Sequence, residues 1–225
     1  VERFTLAGPN GALLPCVLVR ALPGAAAGTL LAVHAKGKDA AAETRQVREA
    51  MAAGRQVCLV DLRNQGESRW DSGQVRPDHE AARSALWLGR TMLGEWVEDL
   101  LAVARVLAAE GPVSVVACGE PALAALAAAA LDGHAFAAVA TQGCLATYVL
   151  AGAAHVQAMS VFVPGILRWG DVSLLAALAA VPVEFQAPVS PSGVVLDAQG
   201  CAELRREITA RAAGLRRAAA VDVVP

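Results

Sequence analysis

Short, continuous apolar runs punctuate the chain, each closing on a polar or turn-forming residue and most followed by a longer stretch of helical character. Thr29–His34, with the sequence TLLAVH, is one such run, and residues 56–62, 113–117, 136–140 and 183–187 repeat the pattern. A strand with one face in water alternates apolar and polar residues, whereas a strand covered on both faces reads as an unbroken apolar run. Runs of this length separated by helical segments therefore require an α/β architecture with a mostly parallel sheet. Helices are expected over residues 40–53, 81–109, 121–131, 174–180 and 200–219, with Gly89 and Gly94 as the points where the second would bend or split. Residues 3–6 and 12–19, joined through Gly8-Pro9-Asn10-Gly11, read as a hairpin adding antiparallel strands at one edge. Residues 63–80 are polar and turn-rich, and 142–163 are irregular.

Composition narrows the function classes. A length of 225 residues fits one domain, residues 1–225, built around one sheet. Alanine supplies 51 residues, and Arg outnumbers Lys 17 to 2, a bias that reads as GC-rich coding rather than selection for phosphate binding. A formal charge of −2 lacks the basic footprint of a nucleic-acid partner, and 56% hydrophobic residues exclude disorder. No apolar run reaches the roughly 18–20 residues of a membrane-spanning helix, so no membrane partner is expected. The five cysteines are widely spaced with no CxxC pair, which favours buried free thiols over disulfides. No cofactor or metal is expected: His79, within Asp78-His79-Glu80, has no second ligand three or four residues away. Trp87 and Trp96 fall on the long helical segment and are expected in the core. The start at Val1-Glu2-Arg3 reads as that of a fragment or processed product, which leaves the compartment open.

Chemistry in a parallel sheet gathers at the carboxyl ends of the strands, here at the loops opening at His34, Asp61, Cys118, Thr141 and Pro188. The segment VSVVACGEPALAALAAAA is a strand, a tight turn and an Ala-rich helix, the layout of a nucleophile elbow. It is also loosely that of a dinucleotide-binding glycine loop. That option fails on Ala117 and Ala122 at two of the glycine positions, and on the missing acidic residue after the next strand.

Further segments fall into order around the elbow. They are His34-Ala35-Lys36-Gly37-Lys38, then Asp61-Leu62-Arg63-Asn64-Gln65-Gly66-Glu67-Ser68, then Val163-Pro164-Gly165-Ile166-Leu167-Arg168-Trp169-Gly170-Asp171. The second is close to the D-x-R-G-x-G-x-S stretch of α/β hydrolases. Together, over roughly residues 2–200, they resemble the α/β-hydrolase superfamily, most closely its bacterial acetyl-xylan-esterase-related branch. The resemblance implies a three-layer α/β-hydrolase-like sandwich. Asn64 stands where relatives have glycine, and Asn tolerates a left-handed backbone.

Acyl transfer on this scaffold needs a serine, a carboxylate and a histidine in that chain order. Aligned on the elbow, the serine slot holds Gly119, which has no atom to attack a carbonyl. The loop after residues 183–187 has no carboxylate before Asp197, and no histidine follows His155. The resemblance therefore implies a catalytically degenerate domain acting as a structural, oligomerising or ligand-binding module. Its expected partners are an upstream catalytic domain or a second copy, with a carbohydrate or small ester as ligand. The rival reading is an active carboxylester hydrolase with an unorthodox nucleophile such as Cys118, assisted by His155 or by residues outside this chain. The candidate pocket lining is His34, Lys36, Gly37, Glu120, Gln142 and Asp171, the first three beside the loop that forms part of the oxyanion pocket in relatives.

Overall fold

The computed structural model describes residues 1–24, 27–70, 73, 77–150 and 156–225. Eight strands form one sheet: β1 (Glu2–Ala7), β2 (Leu13–Val19), β3 (Thr29–His34), β4 (Gln56–Val60), β5 (Val113–Cys118), β6 (Ala138–Gln142), β7 (Val183–Gln186) and β8 (Val221–Val224). Their order across the sheet is β1-β2-β4-β3-β5-β6-β7-β8. The first two pair antiparallel, β2 meets β4 antiparallel, and the remaining pairs are parallel. This is the α/β arrangement the apolar runs require, with the hairpin at one edge.

Seven helices of five or more residues are described: α1 (Lys38–Ala42), α2 (Arg45–Ala52), α3 (Pro77–Trp87), α4 (Met92–Leu107), α5 (Glu120–Leu131), α6 (Val172–Leu178) and α7 (Ala198–Gly214). The expected helix over 40–53 is two, because Thr44 turns extended and its hydroxyl donates to the Ala41 carbonyl at 2.8 Å. The long segment also divides, at Gly89 with φ 73°. Gly94 does not break it, because its N–H is taken by the Thr91 hydroxyl that caps α4. Two further expectations need correction. The terminal helix stops at Gly214 and an unanticipated strand, β8, follows it. Trp96 is buried, but Trp87 lies 75% exposed at the end of α3 with the Arg83 guanidinium over its ring.

The main core lies between the sheet and α4 to α7. In α5, nine of twelve residues are buried, and it packs against α4, α6 and the sheet at once. A helix apolar all round is a buried helix, and its alanines let the neighbouring backbones approach closely. On the opposite face α1 and α2 cover β3 and β4 over a smaller apolar cluster containing Val47 and Leu59. Beyond them a groove of about 910 Å³ runs along the same face, floored by Val116, Ala138 and Ala140 and rimmed by Glu49, Glu184 and Asp222. All five cysteines are buried and free. Among the described residues no single helix is long and apolar enough to cross a membrane, and no three His, Cys, Asp or Glu side chains gather as a metal set.

Candidate functional site

One residue, Gly119, turns the chain from β5 into α5. Its backbone sits at φ 75° and ψ −142°, a combination that residues with a side chain rarely enter. This is the strained strand-to-helix turn that lifts a G-x-S-x-G serine above a sheet. Here the turn is present without a nucleophilic atom at its apex. A Cβ added at Gly119 would lie 2.9 Å from the Ala35 Cβ, inside normal contact distance. The room a serine would occupy is thus partly taken by the neighbouring loop.

That loop follows β3, and its amides are spent internally. Ala35 N–H donates to the Cys118 carbonyl at 3.0 Å, and Gly37 N–H to the His34 carbonyl at 2.8 Å. Lys36 N–H donates to His34 Nδ1 at 2.9 Å, which requires a neutral imidazole carrying its proton on Nε2. Burial and the nearby Lys36 charge hold the His34 pKa below the usual histidine value, against the pull of Glu120. An NMR titration is expected to place the His34 midpoint under 6.5. Unfolded His34 takes a proton near that value, and the folded ring only at lower pH. Its contribution to stability is therefore complete above about 6.5 and lost as pH falls from there through the folded midpoint. A midpoint at or above the ordinary value would remove this account of the loop.

The loop after β4 is built around Asp61. Its carboxylate accepts Lys38 N–H at 2.6 Å, Lys38 Nζ at 2.6 Å and Glu67 N–H at 2.9 Å, and Lys38 Nζ also donates to Glu67. Gly66 is obligatory there: at φ 48°, a Cβ would lie 2.2 Å from Asp61 Oδ1. Asn64 takes φ 58°, the left-handed conformation it was expected to tolerate. Arg63 chelates Asp99, pairs with Glu95 and donates to the Pro9 carbonyl, while Trp96 Nε1 donates to the Arg63 carbonyl at 2.8 Å. These contacts tie the hairpin turn, the loop and α4 together.

The remaining candidates fall in different places. Cys118 is buried, its thiol donates to Gln142 Oε1 at 3.4 Å, and burial pushes its pKa up to about 11. Such a thiol stays protonated at neutral pH and is a poor nucleophile. Gln142 also accepts the Gly119 N–H on its carbonyl at 2.8 Å, clamping the turn from the β6 side. Gly37 begins α1 and packs against Gly66 and Asp61. Asp171 caps α6, accepting from Val172 N–H and Tyr148 N–H at 2.8 Å each and from the Thr147 hydroxyl. Asp197, the first carboxylate after β7, caps α7 by accepting Gly200 N–H at 2.8 Å. His155 lies outside the described residues.

Lys36 and Glu120 do meet, at a cavity of about 270 Å³ over the carboxyl ends of β3, β4 and β5. Asn64, Gln65, Arg69 and Asp78 supply further polar walls, and Trp96 and Ser160 also line the cavity. Gln65 and Ser160 are each only 3% exposed. Gln65 Oε1 is buried without a hydrogen-bond partner, and the Ser160 hydroxyl has none among the described residues. A second cavity of about 110 Å³ flanks Glu120 on its other side, between Gly119, Leu145 and Val161. Sequence reasoning did not point to Gln65, Arg69, Asp78 or Ser160 as cavity residues. The polar stretch 63–80 signalled the first three only as turn-rich, and nothing local marks Ser160.

No known family profile and no curated protein matches the chain. Solved structures do. A cold-adapted esterase from an Arctic intertidal metagenomic library is 16% identical, with 91% of this chain and 78% of that one aligned at a TM-score of 0.55. N-formylmaleamic acid deformylase from Pseudomonas putida is 14% identical over 92% and 88% of the two chains, with a TM-score of 0.57. Dienelactone hydrolase from Anabaena variabilis is 13% identical over 93% and 81%, with a TM-score of 0.52. Likeness at this level of identity speaks to architecture. With its mixed eight-stranded sheet, its N-terminal antiparallel pair and these structural neighbours, the chain has the α/β-hydrolase fold.

Proposed function

We propose that this chain is a non-hydrolytic α/β-hydrolase-fold domain that holds a small polar ligand in the cavity above its elbow. The observation that carries the reading is Gly119, which keeps the strained turn at φ 75° and offers no nucleophile. Three further features support it. The amides of residues 35–37 are all engaged within the protein, so none is poised for a developing oxyanion. Cys118, one atom-bearing neighbour of the slot, is buried and held protonated. Asp197, the carboxylate that follows β7, is engaged in capping a helix. The acetyl-xylan-esterase branch remains the source of the resemblance and implies a polar rather than a greasy ligand.

Turnover of p-nitrophenyl acetate and labelling with a fluorophosphonate probe test the proposal. The expected outcome is no stoichiometric label and a rate no higher than that of the heat-unfolded chain. A Gly119→Ser variant is expected to stay inactive, since its Cβ meets Ala35 and no described base stands beside it. Turnover that disappears in Cys118→Ala or Ser160→Ala, or a single labelled residue, would replace the proposal with that of an active ester hydrolase. Buried Ser160 lines the cavity, which makes it the residue to inspect in that event.

A further inference from the structure

We infer that the ligand of this cavity is zwitterionic, a free α-amino acid or a molecule of similar size carrying both an ammonium and a carboxylate. The inference rests on the reading of the cavity as a binding site. Its first support is charge. Lys36 and Arg69 bring two cations to the described walls, and Asp78 and Glu120 bring two anions. Walls carrying both signs offer a partner to each end of a zwitterion, while Asp78 and Glu120 repel a polyanion such as a phosphate ester. They equally disfavour an acyl chain, because eight of the ten described lining residues carry polar side-chain atoms.

The second support is what these groups lack. Lys36, Arg69 and Glu120 line one cavity, yet none has an ion-pair partner among the described residues. Glu120 is half-buried at the start of α5. A neutral ligand closing over it would remove water from the carboxylate and return no charge, which is unfavourable. A ligand ammonium returns that charge through a charge-assisted hydrogen bond. Lys36 and Arg69, both exposed, supply the cations that a ligand carboxylate meets.

The third support lies at the floor. Gln65 Oε1 is a buried acceptor with no donor, an uncommon state for a polar atom inside a protein. An ammonium has three N–H donors, so Glu120 leaves two of them for other acceptors of the walls. Ser160 adds a hydroxyl able to donate or accept. The size agrees as well: about 270 Å³ is just below the range of drug-sized sites and suits a ligand of amino-acid size.

Calorimetric titration and thermal unfolding of the intact chain with the free L-amino acids test this directly. The N-acetyl amides of the same amino acids, xylose and inorganic phosphate serve as comparison probes. The expected result is that some free amino acids bind and raise Tm, while their N-acetyl amides, xylose and phosphate do not. Glu120→Gln and Lys36→Met are each expected to weaken binding by about tenfold or more, the worth of one charge-assisted hydrogen bond. Their Tm without ligand reports whether they fold. Equal binding of the N-acetyl amides, unchanged binding in both variants, or silence from every amino acid overturns the inference. Xylose binding that is lost in Ser160→Ala would retain a binding site and overturn only the zwitterion. Ester turnover would overturn the non-hydrolytic reading and leave the calorimetric result to stand or fall by itself.

Discussion

Replacing Asp61 by Ala is expected to lower the free energy of unfolding by about 3–5 kcal/mol, the cost of stranding one member of a buried ion pair. The Asp61 side chain is 1% exposed and that of its partner Lys38 is 8% exposed. The substitution removes the acceptor of Lys38 Nζ and of the Lys38 and Glu67 amides in one step, leaving only exposed Glu67 against the ammonium. Urea unfolding monitored by the tryptophans reads the change. The double variant Asp61→Ala with Lys38→Met separates charge from shape: with the stranded cation gone, its deficit should be smaller than the sum of the two single ones. Additive deficits would mean that Asp61 acts by filling space. The loop it organises carries Asn64, Gln65 and Arg69, so ligand binding should weaken in parallel with stability.

An Arg63→Ala variant is expected to lose a comparable amount, about 3–5 kcal/mol at neutral pH, with a different pH signature. Asp99 is fully buried in α4 and receives Arg63 Nη2 at 2.7 Å and Arg63 Nε at 3.0 Å. Burial already raises the Asp99 pKa above the ordinary carboxylate value, against the lowering effect of Arg63. Without the guanidinium that pKa rises further. A carboxyl group with a raised folded pKa favours the fold when protonated, and the benefit is lost as pH rises through that pKa. The deficit of the variant should accordingly shrink as pH is lowered and Asp99 takes up its proton, a trend read by comparing unfolding at about pH 7 and about pH 5. A deficit that is the same at both values would show that the lost bond to the Pro9 carbonyl, rather than the buried charge, dominates.

How much of this was legible in the sequence depends on whether the governing contacts are local. The apolar runs located five of the strands, because burial on both faces leaves an unbroken pattern in the residues themselves, and the Asn-Gly turn located the two of the hairpin. The elbow and the Asp61 loop were readable for the same reason, since their turns are made by Gly119, Asn64 and Gly66 in place. The break at Thr44 was not, since it comes from one hydroxyl bonding back to a carbonyl inside a segment with helical periodicity. β8 was missed because Val-Asp-Val-Val is short, and its strand character comes from pairing with β7, not from its own alternation. Trp87 misled because a large aromatic on a helix is usually buried, and only the placement of α3 relative to α4 turns it outward. The cavity was the least legible feature. Its described walls come from the loops after β3 and β4, from α3, α4 and α5, and from residues 158–160, so no window of sequence contains it.

The strand order has a consequence for synthesis. As the chain emerges from its N-terminus, β1 and β2 can pair at once, but β3 then finds no neighbour, because the place beside β2 belongs to β4. The nascent sheet therefore waits until residue 60 is available, and β4 must then enter between two strands already made. After that single insertion β5, β6, β7 and β8 join one free edge in the order in which they are made, β5 beside β3 and each later strand beside its predecessor. Vulnerability to mispairing is thus concentrated early, in the interval when β2 and β3 both present open edges. A ribosome pause placed once β4 has cleared the exit tunnel would be the one that helps this chain reach its native sheet.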